Sequence, residues 1–270
     1  MADVVAFKKS ADDGLVLREE NGGVVRLTLN NGPVNALSSS MLSALSAELD
    51  AMADDVRVVI LSARGSHFSA GFDLAEINAY RSHEDGGRAA YTVLAQASTA
   101  LVQKLSALHQ PVIAEIDGLA TAAGCQLVAA CDLAICTDSS TFCLPGVNIG
   151  ALDATAIVAV SRAAHRKQAM EMVLTGETID ASTAKDFGLV NRIVPRQYLS
   201  QVVDKYAAVI ASKSPEALNA AKRVFQGQAV LPLDEAYAVS GAALVEGLMS
   251  QDAGKGAAAY LENRLPVWEP

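Results

Sequence analysis

Apolar residues at 41, 42, 45, 49 and 52 recur at helical spacing and predict a helix over 38–52. Short apolar runs at 15–18, 24–29, 56–61, 111–116, 133–137 and 141–143 read as strands. Asn21-Gly22-Gly23 between the first two is turn chemistry and predicts a strand pair. Residues 64–70 read as a loop. A short helix is expected to begin at Leu74, with Asp73 as N-cap and Glu76 three residues on completing a capping box. Longer helices are predicted over 87–108 and 122–130, the second rich in small residues. From 167 the pattern is mostly helical. Ser214-Pro215 reads as an N-cap followed by proline at the first helical position, and Asp252 is expected to cap a last helix ending near 264.

Short strands alternating with helices, then helices alone, imply an α/β core over 1–195 and a helical region over 196–270. The tail is amphipathic, with Leu244, Leu248, Tyr260 and Leu261 on it. Such a face must be buried, against its own core or a neighbouring subunit.

Composition narrows the function classes. The 270 residues are 51% hydrophobic and 19% charged, which suits a folded chain rather than a disordered one. The net charge of −9 argues against a general nucleic-acid binder, which needs a basic face for phosphates. No apolar run approaches the length of a membrane span. The acidic N-terminal stretch has no secretory core, so a cytoplasmic protein is expected. Cys125, Cys131, Cys136 and Cys143 fit neither a disulfide framework nor a zinc pattern; buried free thiols are expected, and no metal site.

Two segments carry candidate chemistry in their backbone. One is S-A-G-F-D-L-A-E-I at 69–77, the other D-G-L-A-T-A-A-G-C-Q at 117–126. In each a strand and a glycine turn feed a helix start, where amides are free to meet an anion. Two such turns side by side could give two N–H donors to one oxygen.

These segments, continued as L-V-A-A-C-D-L-A to residue 134, resemble the enoyl-CoA hydratase/isomerase (crotonase) superfamily. P-V-N-A-L at 33–37, M-E-M-V-L-T-G-E at 170–177 and A-K-D-F-G-L-V-N-R-I-V-P at 184–195 extend the resemblance over nearly the whole chain, and enoyl-CoA hydratase domain-containing proteins are the nearest variety. It implies an α/β fold, a spiral of ββα units with a C-terminal helical trimerisation region, and a homotrimer or dimer of trimers. The implied ligand is an acyl-CoA or enoyl-CoA thioester in fatty acid or related metabolism. Coenzyme A enters as part of the substrate, with no separate cofactor. Carried over by position, the oxyanion amides are those of Phe72 and Ala123. Ala70 falls where the backbone meets the adenine, and Val34, Asp73 and Leu74 fall along the coenzyme A path. Arg64, Lys255 and Arg264 are candidates for the phosphates.

The chain departs from the hydratase pattern at both acid/base positions, with Gln126 and Gly146 where hydratases carry glutamates. A carboxamide cannot exchange a proton near neutral pH, so ordinary hydration should be slow. Asp153 falls, with a one-residue gap, where some isomerases of the superfamily place a catalytic Asp. Three readings stay open: an enoyl-CoA hydratase/isomerase-like enzyme stabilising a thioester enolate, an isomerase-type enzyme using Asp153 as base, and a non-catalytic acyl-CoA binding or regulatory protein. Asp73 as a cap, His67 as a solvated loop residue and Cys125 as an inert thiol are the expected roles beside these.

Overall fold

The computed structural model describes residues 8–9, 14–152 and 154–268. Strands β1 (Lys8–Lys9), β2 (Val16–Asn21) and β3 (Val24–Leu29) form antiparallel pairs, β2 turning into β3 through Gly22-Gly23. Helix α1 (Ser39–Asp50) follows, with the Ser38 side chain accepting from the Met41 amide. Three units then repeat one plan. Each has a long strand, a short strand and a helical turn: β4 (Val58–Ala63), β5 (His67–Ser69) and α2 (Leu74–Tyr80); β6 (Val112–Ile116), β7 (Leu119–Thr121) and α4 (Ala123–Ala130); β8 (Leu133–Thr137), β9 (Thr141–Cys143) and a 3-10 turn, Pro145–Ile149. Helix α3 (Arg88–Ala107) lies between the first two units, and α5 (Ala154–Ala163) and α6 (Arg166–Thr175) follow the third. Next come β10 (Ile179–Asp180), α7 (Ala181–Asp186) and β11 (Arg192–Val194).

Long and short strands go to different sheets. The large sheet runs β1-β2-β3-β4-β6-β8-β11 and the small one β10-β9-β7-β5. From β3 onward the large sheet is parallel. Its central strands are buried on both faces, which is why they read as unbroken apolar runs rather than alternating ones. On the inner face Val59, Leu61, Val112, Ala114, Ile116, Ala134 and Cys136 pack with α1, α3 and the small sheet, including Phe68 and Phe142. On the outer face Val58, Ile60, Ile113 and Ile135 meet Leu199, Val203 and Ala207 of α8 (Leu199–Ala211), whose spacing of four puts them on one stripe.

The last strand, β11, ends at Val194, and α8 beyond it is part of the large sheet's packing. An ion cluster crosses the same interface. The Arg26 guanidinium pairs with Glu115 and with Asp204 of α8 (2.6 Å), and Ser200 donates to the other Glu115 oxygen (2.6 Å). Burial opposes the Arg26 charge, and the two carboxylates, Glu115 foremost, outweigh it and raise the guanidinium further.

Helices α9 (Pro215–Gln228), α10 (Leu233–Met249) and α11 (Gln251–Leu261) complete the chain. Ser214 caps α9 as the sequence predicts. The cap of α11 is Ser250 rather than Asp252, because the Asp252 carboxylate instead accepts from the Ser214 hydroxyl (2.5 Å), tying α11 to α9. Among the described residues no helix is long and apolar enough to cross a membrane.

Glu115→Gln removes the buried carboxylate that faces Arg26, while the Asp204 carboxylate is half-exposed. Urea unfolding should show a loss of about 3 kcal/mol, against under about 1 kcal/mol for Asp204→Asn.

Candidate functional site

The two backbone turns singled out in the sequence meet. Strand β5 is parallel to β7, so the residues that follow each strand arrive side by side. Gly71, at φ +79°, lies so close to the second turn that a methyl group there would sit 2.9 Å from the Ala122 Cβ and the Thr121 carbonyl oxygen, and 3.3 Å from the Ala123 nitrogen. Gly124 is as constrained: a methyl group there would stand 2.5 Å from the Ser69 carbonyl oxygen. Only glycine lets α4 seat its first turn against β5. Ala122 has φ 50° and ψ −120°, a conformation that costs an L-residue about 1–3 kcal/mol. It is held there by its own amide, which donates to the Cys143 carbonyl (3.0 Å), and by its carbonyl, which accepts from the Gln126 amide (3.0 Å).

Neighbouring polar groups are used up in fixing this geometry. The Ser69 hydroxyl donates to the Asn35 carbonyl (2.8 Å) and accepts from the Gly71 amide (3.2 Å). The Leu37 amide donates to the Gly71 carbonyl (2.7 Å), and the Ala70 amide to the Val34 carbonyl (2.8 Å). Asn35 is fully buried at φ 48°. Its side chain donates to the carbonyls of Arg64 (2.6 Å) and His67 (2.9 Å) and accepts from the Asn31 amide (2.9 Å). Among the described residues the amides of Phe72 and Ala123 donate to no protein group.

Gln126 lies one helical turn beyond Ala123 and is 2% exposed. Its carboxamide oxygen accepts from the Thr155 hydroxyl of α5 (3.1 Å). Gly146 lies in the 3-10 turn, beside a small apolar crevice formed with Leu144, Val147, Leu152 and Ile157. Another cleft, of about 390 Å³, lies at the N-terminal end of β4 and β6, between Met52, Arg57, Leu108, His109 and Asn219, away from both turns.

The comparisons with known proteins agree with this architecture. The family model "Enoyl-CoA hydratase/isomerase" matches residues 19–270. The chain is 37% identical to the mitochondrial enoyl-CoA hydratase domain-containing protein 3 of Rattus norvegicus, over 94% of this chain and 84% of that protein. The crystal structure of an enoyl-CoA hydratase from Mycobacterium smegmatis superposes with a TM-score of 0.90 at 39% identity, covering 95% of this chain and 99% of that one. The human enoyl-CoA hydratase domain-containing protein 3 gives 0.88 at 38%, covering 94% and 99%. The chain belongs to the enoyl-CoA hydratase/isomerase family. Its fold is the crotonase fold, and the ββα repeat of the two sheets is that fold's spiral.

Within this crotonase frame the other residues singled out in the sequence fall as follows. Asp73 caps α2, accepting from the amides of Ala75 (2.9 Å) and Glu76 (3.2 Å). The return half of the capping box is absent. Glu76 reaches away to the Ser39 amide at the start of α1 (2.9 Å) and to the Tyr80 hydroxyl (2.5 Å). Partial burial pushes the Glu76 carboxyl up, but these bonds outweigh it and hold it below the usual carboxylate range. Val34 and Ala70 are joined by the backbone bond above, and Leu74 is 61% exposed. Asp153 lies outside the described residues. His67 is in β5 rather than a loop, with its Nδ1 2.7 Å from the Ser66 hydroxyl. Cys125 is fully buried, and burial pushes the Cys136 thiol up to about 12. Arg264 pairs with Glu262 (2.6 Å). Among the described residues no three His, Cys, Asp or Glu side chains gather as a metal site.

Sequence reasoning missed Asn35, which ties residues 31, 64 and 67 together beside the first turn, and the bond that joins Glu76 of α2 to the start of α1. The Asn in P-V-N-A-L was a usable signal, since Asn tolerates positive φ better than other side chains.

The steric argument gives opposite signs at neighbouring positions. Gly124→Ala should lower stability by about 1–3 kcal/mol. Ala122→Gly should leave it unchanged or higher, because relief of strain offsets the added unfolded-state freedom. Thermal unfolding of the two variants reads both.

Proposed function

We propose that this protein binds acyl-CoA thioesters and holds the thioester oxygen between the peptide N–H groups of Phe72 and Ala123. The observation that carries this is the pair of unpartnered amides on two turns in contact at Gly71 and Ala122. Preorganised donors stabilise charge where it develops, and the N-terminus of α4 adds its dipole. Negative charge on that oxygen is the thioester enolate, so the reading is hydratase/isomerase-type chemistry, as lyase or isomerase, in fatty acid or related acyl-CoA metabolism. Val34, Ala70, Asp73 and Leu74 flank the coenzyme A path in this reading.

Ordinary hydration is slow, because neither Gln126 nor Gly146 exchanges a proton. Each missing acid/base group costs roughly 10²- to 10⁴-fold in rate. Asp153, just before α5, is the base of an isomerase-type reaction in one version of the proposal. The Thr155–Gln126 bond favours a second reading, a non-catalytic acyl-CoA binder, since the side chain at the usual acid/base position is committed to a neighbour.

The C-terminal helices support self-association as a homotrimer or dimer of trimers. Leu233, Tyr237, Leu244, Leu248, Met249 and Tyr260 are all more than 60% exposed in the single chain, an apolar surface that solvent alone does not suit.

Calorimetric titration should show butyryl-CoA binding. Exchange of its α-protons in deuterated water, followed by NMR, separates enzyme from binder: exchange lost in Asp153→Ala supports the Asp base, and tight binding without exchange supports the binder. Crotonyl-CoA hydration at the rate of a two-glutamate hydratase refutes the assignment of Gln126 and Gly146. Light scattering should find a trimer or hexamer that Leu248→Asp converts to monomer.

A further inference from the structure

We propose that Glu76 is a positioning residue for the Phe72 N–H: its carboxylate ties α2 to the start of α1 and thereby fixes where that N–H points. This deepens the thioester reading above and rests on it. The observation is a pair of cross-links that bracket Phe72. On one side the Leu37 amide donates to the Gly71 carbonyl (2.7 Å), and Leu37 and Phe72 form an isolated parallel bridge. On the other the Ser39 amide donates to the Glu76 carboxylate (2.9 Å).

The first cross-link acts on the working atoms directly. The Gly71 C=O and the Phe72 N–H belong to one planar peptide unit, so whatever holds the oxygen also turns the N–H. One hydrogen bond still lets that plane swing about the bond, and a second attachment beyond Phe72 stops the swing. Packing of α2 supplies little of it. None of the α2 residues is buried, and Ile77 is partly buried against the core. Helix α1 is the opposite case, anchored in the core by Met41, Leu42, Leu45 and Leu49. The Tyr91 hydroxyl holds α2 further along, at the Ile77 carbonyl (3.0 Å). Glu76, one turn from Phe72, is the residue that refers the start of α2 to the anchored helix.

A carboxylate suits that task. Ser39 is the first residue of α1, so Glu76 meets a helix N-terminus, where amides lack partners and the dipole favours negative charge. A charged acceptor makes a bond roughly twice as strong as a neutral one. The other Glu76 oxygen accepts from the Tyr80 hydroxyl (2.5 Å), which itself lies 3.2 Å from the Ser39 hydroxyl. Glu76, Tyr80 and Ser39 thus close a triangle in which the carboxylate is held at both oxygens.

Two NMR signals of the full chain test this. In the free protein, ¹⁵N-labelled phenylalanine reports the amides of the six phenylalanines, and Phe72→Leu identifies the one that matters. Glu76→Ala should displace or broaden the Phe72 signal while those of Phe142 and Phe187 stay. In the complex, the ¹³C-labelled carbonyl of butyryl-CoA should move downfield on binding to the wild type. Glu76→Ala should lose more than about half of that displacement at saturation, with affinity down by no more than about tenfold. Glu76→Gln keeps an oxygen for the Ser39 amide and should retain most of it. Glu115→Gln, which lowers stability from the outer face of the large sheet, should change neither signal, and a merely structural Glu76 would behave the same way. An unmoved Phe72 signal in Glu76→Ala, or a carbonyl displacement kept there in full, overturns the proposal. If Glu76→Ala does not fold, Tyr80→Phe, which frees one carboxylate oxygen, should move the Phe72 signal by a smaller amount, and no movement overturns it. If the wild type leaves the carbonyl signal in place, or does not bind butyryl-CoA, the amide-pair reading falls, and the Phe72 signal still decides whether Glu76 aims that amide.

Discussion

Steric contact between two turns governs this molecule. Gly71 abuts Ala122 and Gly124 abuts Ser69 with no room for a Cβ on either glycine. The approach follows from pairing β5 with β7, and the parallel pairing of three-residue strands follows from the spiral that sends each short strand to the small sheet. Around the contact, Asn35, Ser69 and the Val34 and Leu37 backbone take up the other polar groups. What remains is a corner where two N–H groups are left over and Ala122 keeps an unfavourable backbone conformation. Strain of that kind persists only where the surroundings over-determine it, and it gathers where a ligand is met.

The side of the site that would move protons is built differently. In the reading proposed above, a glutamine and a glycine occupy it, the first bonded to Thr155 and the second beside apolar Val147, Leu152 and Ile157. That reading combines two anion-holding amides with a wall of altered chemistry. The fold and the family follow from the whole chain, whereas the proposed chemistry depends on a handful of side chains.

Much of the fold was legible in the sequence. The helix over 38–52, the strands 24–29 and 133–137, and the Ser214-Pro215 start were readable because each carries either a full period of apolar residues or a local cap. The short strands β5, β7, β10 and β11 were not. Two or three residues show no period, and these are strands only because a partner distant in the chain pairs with them. The same reason hid Glu76's bond to Ser39 and Gln126's bond to Thr155. A capping box is a local pattern, but a carboxylate satisfied 37 residues away leaves no local trace.

The outer face of the large sheet has a consequence for synthesis. Val58, Ile60, Ile113 and Ile135 are all in place once β8 is made, yet α8 that covers them begins at Leu199. At roughly 5–20 residues per second, a ribosome leaves that greasy surface bare for several seconds before its cover has been translated. The nascent chain thus passes through a stage in which its best-formed region is also its stickiest, and it depends on chaperones, or on the speed of the remaining elongation, to leave that stage intact.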